Sequence, residues 1–87
     1  MVYKIKEIEK TCSACPSQWE GTLDNGKMIY IRYRWGYLSV RISNEPTNNP
    51  MNAVNGIEIF GLNYGDGFDG VIELDKVLEL AKDVIKM

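Results

Sequence analysis

Asn25-Gly26 sits between two runs of strand-forming residues and constrains the fold more than any other feature of the chain. Asn and Gly tolerate positive φ, which a two-residue type I′ turn demands at both central positions. The flanking runs, Ser17 to Asp24 and Lys27 to Arg34, are therefore expected to form an antiparallel hairpin. A second turn around Trp35-Gly36 leads into Tyr37 to Ile42, which completes a three-stranded meander. Gly36 is expected to supply the left-handed residue of that turn, because Trp35 resists positive φ.

The rest of the chain fits around this unit. Val2 to Glu9 mostly alternates apolar and charged residues and reads as a first strand, broken by Thr11 to Pro16. Ser43 to Gly56 holds five asparagines and two prolines without a hydrophobic period and reads as a long polar loop. Ile57 to Phe60 is a short apolar strand, and Gly61 to Gly70, with four glycines, reads as a second irregular loop. Leu74, Val77, Leu78, Ala81 and Ile85 then recur at helical spacing, with charged residues on the remaining faces. The expected fold class is α+β: an antiparallel β-meander sheet packed by one C-terminal amphipathic helix, with residues 1–87 as a single domain. Eighty-seven residues leave room for one core and not two.

A two-residue loop at Asn25-Gly26 pairs Asp24 with Lys27, Gly21 with Tyr30 and Trp19 with Arg32. Side chains alternate across a strand, so the faces follow from that pairing. Ile29, Ile31, Tyr33, Leu38, Val40 and Ile42 form the expected core face, which the helix covers. Trp19, Tyr30, Arg32, Arg34, Tyr37, Ser39 and Arg41 share the opposite face. Arginine grips phosphate with a planar fork and aromatic rings stack on bases, so Trp19, Tyr30, Arg32, Arg34, Tyr37 and Arg41 are the candidate ligand-binding residues, and the ligand class is a small nucleotide. Two other readings fit the same residues: a solvated face of cation–π pairs, and a subunit or partner interface anchored by Tyr, Trp and Arg. Glu20 is at odds with this pairing. It falls on the core face beside Ile31, where an unpaired carboxylate is costly unless the strand lies at an edge.

Charge and composition narrow the function. A net charge of −2 disfavours a long nucleic acid, whose backbone is bound through excess Lys and Arg. The first residues are charged and no run approaches the roughly 18 apolar residues of a membrane span, so a cytoplasmic protein with no membrane partner is expected. Histidine is absent, which removes the commonest general base at neutral pH and the commonest metal ligand. The carboxylates Glu20, Glu58, Asp66 and Asp69 are not brought together by any pattern, so a non-enzymatic protein is expected. Cys12 and Cys15 have the spacing of half a zinc site, which only a dimer could complete; otherwise they are two reduced thiols in a turn, and no metal or cofactor is assigned. The Asp66 and Asp69 region lacks the ligand spacing of a calcium loop.

The runs Cys15-Pro16-Ser17-Gln18-Trp19-Glu20-Gly21, Asn25-Gly26-Lys27 and Tyr30-Ile31-Arg32-Tyr33-Arg34-Trp35-Gly36-Tyr37-Leu38 resemble a widespread group of small phage and bacterial proteins. The chain is similar to the phage anti-CBASS sponge proteins. That resemblance implies a non-enzymatic homo-oligomer that sequesters a cyclic nucleotide or dinucleotide in the host cytoplasm and so evades an anti-phage defence signal. It carries over no site residues. The competing expectation is a protein interaction module, or phage inhibitor, whose aromatic and arginine face docks on a partner protein.

Overall fold

Ile5 and Ile8 are three residues apart, so a regular strand would send them to opposite faces. In the computed structural model, which describes residues 2–12, 17–49, 51–65 and 72–87, the first strand solves this with an irregularity. Strand β1 (Tyr3–Cys12) pairs Ile5 with Leu23 and Ile8 with Gly21 of β2 (Ser17–Leu23), with a register shift between Ile5 and Glu7. A bulge of this kind re-aims the side chains that follow it. Ile5 is buried, and Ile8 packs against the same core. The strand runs beyond the expected end at Glu9, through Thr11 to Cys12.

The sheet continues through β3 (Met28–Arg34), β4 (Tyr37–Ile42) and β5 (Ile57–Asn63), with each strand antiparallel to the one before. Helix α1 (Met51–Val54) interrupts the connection between β4 and β5, which the sequence had suggested was a loop throughout. Strand β5 includes Gly61 to Asn63, residues expected in a loop. Helix α2 (Leu74–Leu80) is followed by a turn and a short strand β6 (Ile85–Lys86), which pairs in parallel with β1. The spatial order is β5-β4-β3-β2-β1-β6.

The fold class is α+β, as expected, but the end of the chain differs. Helix α2 stops at Leu80, and Ile85 reaches the core from a strand. The 3.6-residue period continued past the helix because Ala81 and Ile85 are both core residues, buried by different backbone geometries. A period alone does not separate the two cases. The core face of β3 and β4 is as expected: Ile29, Ile31, Tyr33, Leu38, Val40 and Ile42 are all buried, and Val77 and Ala81 close over the same cluster. Buried Ser17 ties α2's approach to the sheet, its Oγ accepting the Ile72 amide at 3.2 Å.

The β2–β3 hairpin corrects the expected pairing. Its loop has three residues, not two. The Leu23 amide donates to the Lys27 carbonyl and the Gly26 amide to the Leu23 carbonyl, at 2.8 and 3.0 Å. Gly26 takes φ of 87°, while Asn25 turns its Oδ1 to the Lys27 amide. This is the turn-plus-bulge solution that longer hairpins use. The register moves by one residue: Trp19 pairs with Ile31, Gly21 with Ile29 and Glu20 with Tyr30. Every β2 side chain therefore lies on the face opposite to the one expected. Trp19 is buried in the core at 3% exposure, and Glu20 lies on the arginine face. Burying a Trp side chain gains up to about 4–6 kcal/mol by area, and the shift also spares the core a carboxylate. Both terms favour the observed register. The edge-strand explanation for Glu20 is likewise replaced, since β2 lies inside the sheet.

The second turn also differs. Trp35 and Gly36 both have positive φ, 57° and 72°. A two-residue connection between twisted strands requires this of both positions, and the ladder from Ile29–Ile42 to Arg34–Tyr37 leaves room for no third residue. The Gly36 carbonyl accepts amides from Tyr64 and Gly65, which pins the turn to the end of β5.

Candidate functional site

The face opposite the core is a grid set by strand register. One row reads Glu20, Tyr30, Arg41 and Glu58 across β2, β3, β4 and β5. The next reads Gln18, Arg32, Ser39 and Gly61, and the last described row reads Arg34, Tyr37 and Asn63. A register shift between Val40 and Arg41 brings Glu58 opposite Arg41 while Phe60 stays opposite Val40. Without that bulge one of the two side chains would lie on the wrong face.

Tyr30, Arg32, Arg34, Tyr37, Ser39, Arg41 and Glu58 of this grid line a concavity of about 370 Å³, together with Val54 of α1 and Trp35. Of the six candidate ligand-binding residues, Tyr30, Arg32, Arg34, Tyr37 and Arg41 line it together. Trp19 does not, because the register places it in the core. Its ring is capped by Lys10 Nζ at 5.3 Å instead.

The charges in this concavity are unbalanced. Among the described residues none of Arg32, Arg34 and Arg41 has a carboxylate within 4.0 Å; the ion pair found there joins Lys76 to Glu79 elsewhere. Arg41 donates one N–H to the Val54 carbonyl at 3.2 Å. Arg34 stacks its guanidinium on the Trp35 ring at 4.8 Å. Arg32 Nε is buried and has no hydrogen-bond partner among the described residues. A buried donor without an acceptor is costly.

Two phenols are tuned by this setting. Burial pushes the Tyr30 hydroxyl above its ordinary pKa; Arg32 and Arg41 pull it down and Glu20 adds to the rise. Tyr37 is also raised, chiefly because it donates a hydrogen bond to Glu58. Both therefore remain neutral donors at neutral pH.

Sequence reasoning placed Ser39 on this face without giving it a role, and missed Glu58 and Trp35 as parts of the site. Glu58 accepts Ser39 Oγ–H at 2.7 Å on one oxygen and Tyr37 O–H at 3.0 Å on the other. Its register against β4 depends on a fourteen-residue connection and a bulge, neither of which leaves a local pattern. Trp35 was visible only as a turn residue, yet at 61% exposure it is an open aromatic surface beside three arginines.

The remaining candidates are outside this site. Cys15, Asp66 and Asp69 lie outside the described residues, as does the Cys12 side chain. Among the described residues, no group of three or more Cys, Asp or Glu side chains is placed to hold a metal ion, and no helix is long and apolar enough to cross a membrane. No protein-family model, curated protein or solved structure matches this chain.

Proposed function

We propose that this protein is a non-enzymatic binder of a small nucleotide, with the phosphate held by Arg32, Arg34 and Arg41 and the base stacked against Tyr30, Tyr37 or Trp35. The observation that carries this reading is the group of three arginines, none with a carboxylate within 4.0 Å among the described residues, around one aromatic-walled concavity in a chain of net charge −2. Such a site attracts an anion. Guanidinium forks suit phosphate oxygens, and stacking is worth about 1–3 kcal/mol per base in single-strand binders. Trp35 takes the place given above to Trp19.

A concavity of about 370 Å³ is at the small end of the range for ligand sites, ~300–1,000 Å³. It suits one base with its phosphate. A cyclic dinucleotide would then be shared between two copies of the chain, in keeping with the homo-oligomer and the sequestering role that the resemblance to phage sponge proteins implies. On this reading the protein acts in the cytoplasm, where such signals are made.

Thermal unfolding against cyclic mono-, di- and trinucleotides and cyclic ADP-ribose variants tests the proposal. A ligand at 100 times its Kd stabilises the fold by about 2.7 kcal/mol, a shift of many degrees for a domain this size. A selective shift that disappears in Arg32→Ala, with the far-UV circular dichroism unchanged, is expected. No shift across the panel at millimolar ligand overturns it.

A second reading is a protein interaction module, favoured by β5. This strand is last in the described sheet, and Ile57 on it is 56% exposed. An open strand edge can pair with another chain. That reading predicts a partner-dependent change in mass with no response to nucleotides.

A further inference from the structure

Glu58 is a carboxylate inside an arginine-lined concavity, yet none of those arginines lies within 4.0 Å of it. It repels phosphate, so a ligand held there must present donors to it. Its position is fixed at both oxygens, by Ser39 Oγ at 2.7 Å and Tyr37 Oη at 3.0 Å. Tyr37 is held over Gly61, where any Cβ would collide with the phenol oxygen. A carboxylate offers about four acceptor positions, and these two bonds use one on each oxygen. One acceptor position remains on each oxygen.

We infer that Glu58 is the specificity residue of the site and selects guanine, whose adjacent N1–H and N2–H donors can each meet one oxygen of the carboxylate. This inference rests on the nucleotide reading above. Adenine presents an acceptor at N1 beside its amine, and cytosine an acceptor at N3 beside its amine. Either would set a ring nitrogen lone pair against a carboxylate oxygen. Uracil carries one N–H between two carbonyls. The arginines of β3 then hold phosphate on one side of the concavity while Glu58 on β5 reads the base edge on the other.

Isothermal titration of the full chain with cyclic GMP, cyclic IMP and cyclic AMP, and with cyclic di-GMP against cyclic di-AMP, tests this. Guanine ligands are expected to bind about 10- to 100-fold more tightly than adenine ligands, the discrimination of one bidentate contact. Cyclic IMP lacks the N2 amine and should fall between them, a comparison that needs no variant. Glu58→Gln presents one acceptor and one donor, so its preference should move toward adenine, while binding of inorganic pyrophosphate is retained. Arg32→Ala should lose pyrophosphate and nucleotides together. Equal binding of guanine and adenine ligands, or an unchanged preference in Glu58→Gln, overturns the role of Glu58 and leaves the anion site standing. Failure of every nucleotide and of pyrophosphate overturns both.

Discussion

The Tyr37 hydroxyl donates to Glu58 at 3.0 Å across the β4–β5 ladder, and this bond is the main reason the Tyr37 pKa rises above its ordinary value. Because the folded chain holds this proton more tightly than the unfolded chain, the stabilisation is complete below the unfolded value near 10. It is lost as pH rises through the folded value. Urea unfolding between pH 8 and 11 is therefore expected to show stability falling on the alkaline side, less steeply in Tyr37→Phe. Tyr30 contributes in the same direction through burial, so the slope should persist in part. Absorbance titration of the phenols in Glu58→Ala should show one of them returning toward its ordinary value.

Gly61 faces Ser39 across the ladder and leaves the space that the Tyr37 hydroxyl occupies. Gly61→Ala is expected to displace the Tyr37 ring from Glu58 and to destabilise the fold by about 1–3 kcal/mol, the usual cost of overpacking. Phenol titration should show the same loss of the raised value as Glu58→Ala. An unchanged titration would mean that the ring has another way to accommodate the methyl group.

Trp19 and Glu20 are neighbours in sequence on opposite faces of β2. Trp19→Ala is expected to cost about 3–5 kcal/mol in chemical denaturation, as for large aromatic residues in other cores. Glu20→Ala should change stability by no more than about 0.5 kcal/mol, because its side chain lies off the core. A reversed order of the two effects would restore the two-residue hairpin loop.

Trp35 holds φ of 57°, a conformation costing about 1–2 kcal/mol for a bulky residue. Asparagine is well suited there, and the change also removes the stack with Arg34, worth about 0.5–1 kcal/mol when exposed. Trp35→Asn is therefore expected to raise stability by about 0.5–1 kcal/mol, a higher Tm by several degrees, while weakening any ligand that stacks on the indole. A gain in stability with loss of binding would mark the strained turn as part of the site.

Much of this architecture was legible from residues 17–42. The alternation of Ile29, Ile31, Tyr33, Leu38, Val40 and Ile42 against Tyr30, Arg32, Arg34, Tyr37 and Arg41 sorts two strands into a core face and a polar face. It needs only the two-residue period, and the structure keeps it. The stretch from Ile5 to Cys12 was less informative, because register shifts between Ile5 and Glu7 and between Lys10 and Cys12 break the period there.

The hairpin turn at Asn25-Gly26, the buried face of β3 and β4, and the three arginines and two tyrosines on the other face can all be read along the chain. Those features are local, set by φ preferences and by alternation along a strand. The one-residue register of β2 is set by packing, because a two-residue and a three-residue loop both use Asn-Gly, and the choice follows from burying Trp19 while keeping Glu20 out of the core. Packing also brings Glu58 to Ser39 and Tyr37, since that contact crosses about twenty residues of chain and depends on the register shift between Val40 and Arg41. Long-range pairing is fixed by the total burial and hydrogen bonding of the sheet, which no single segment encodes.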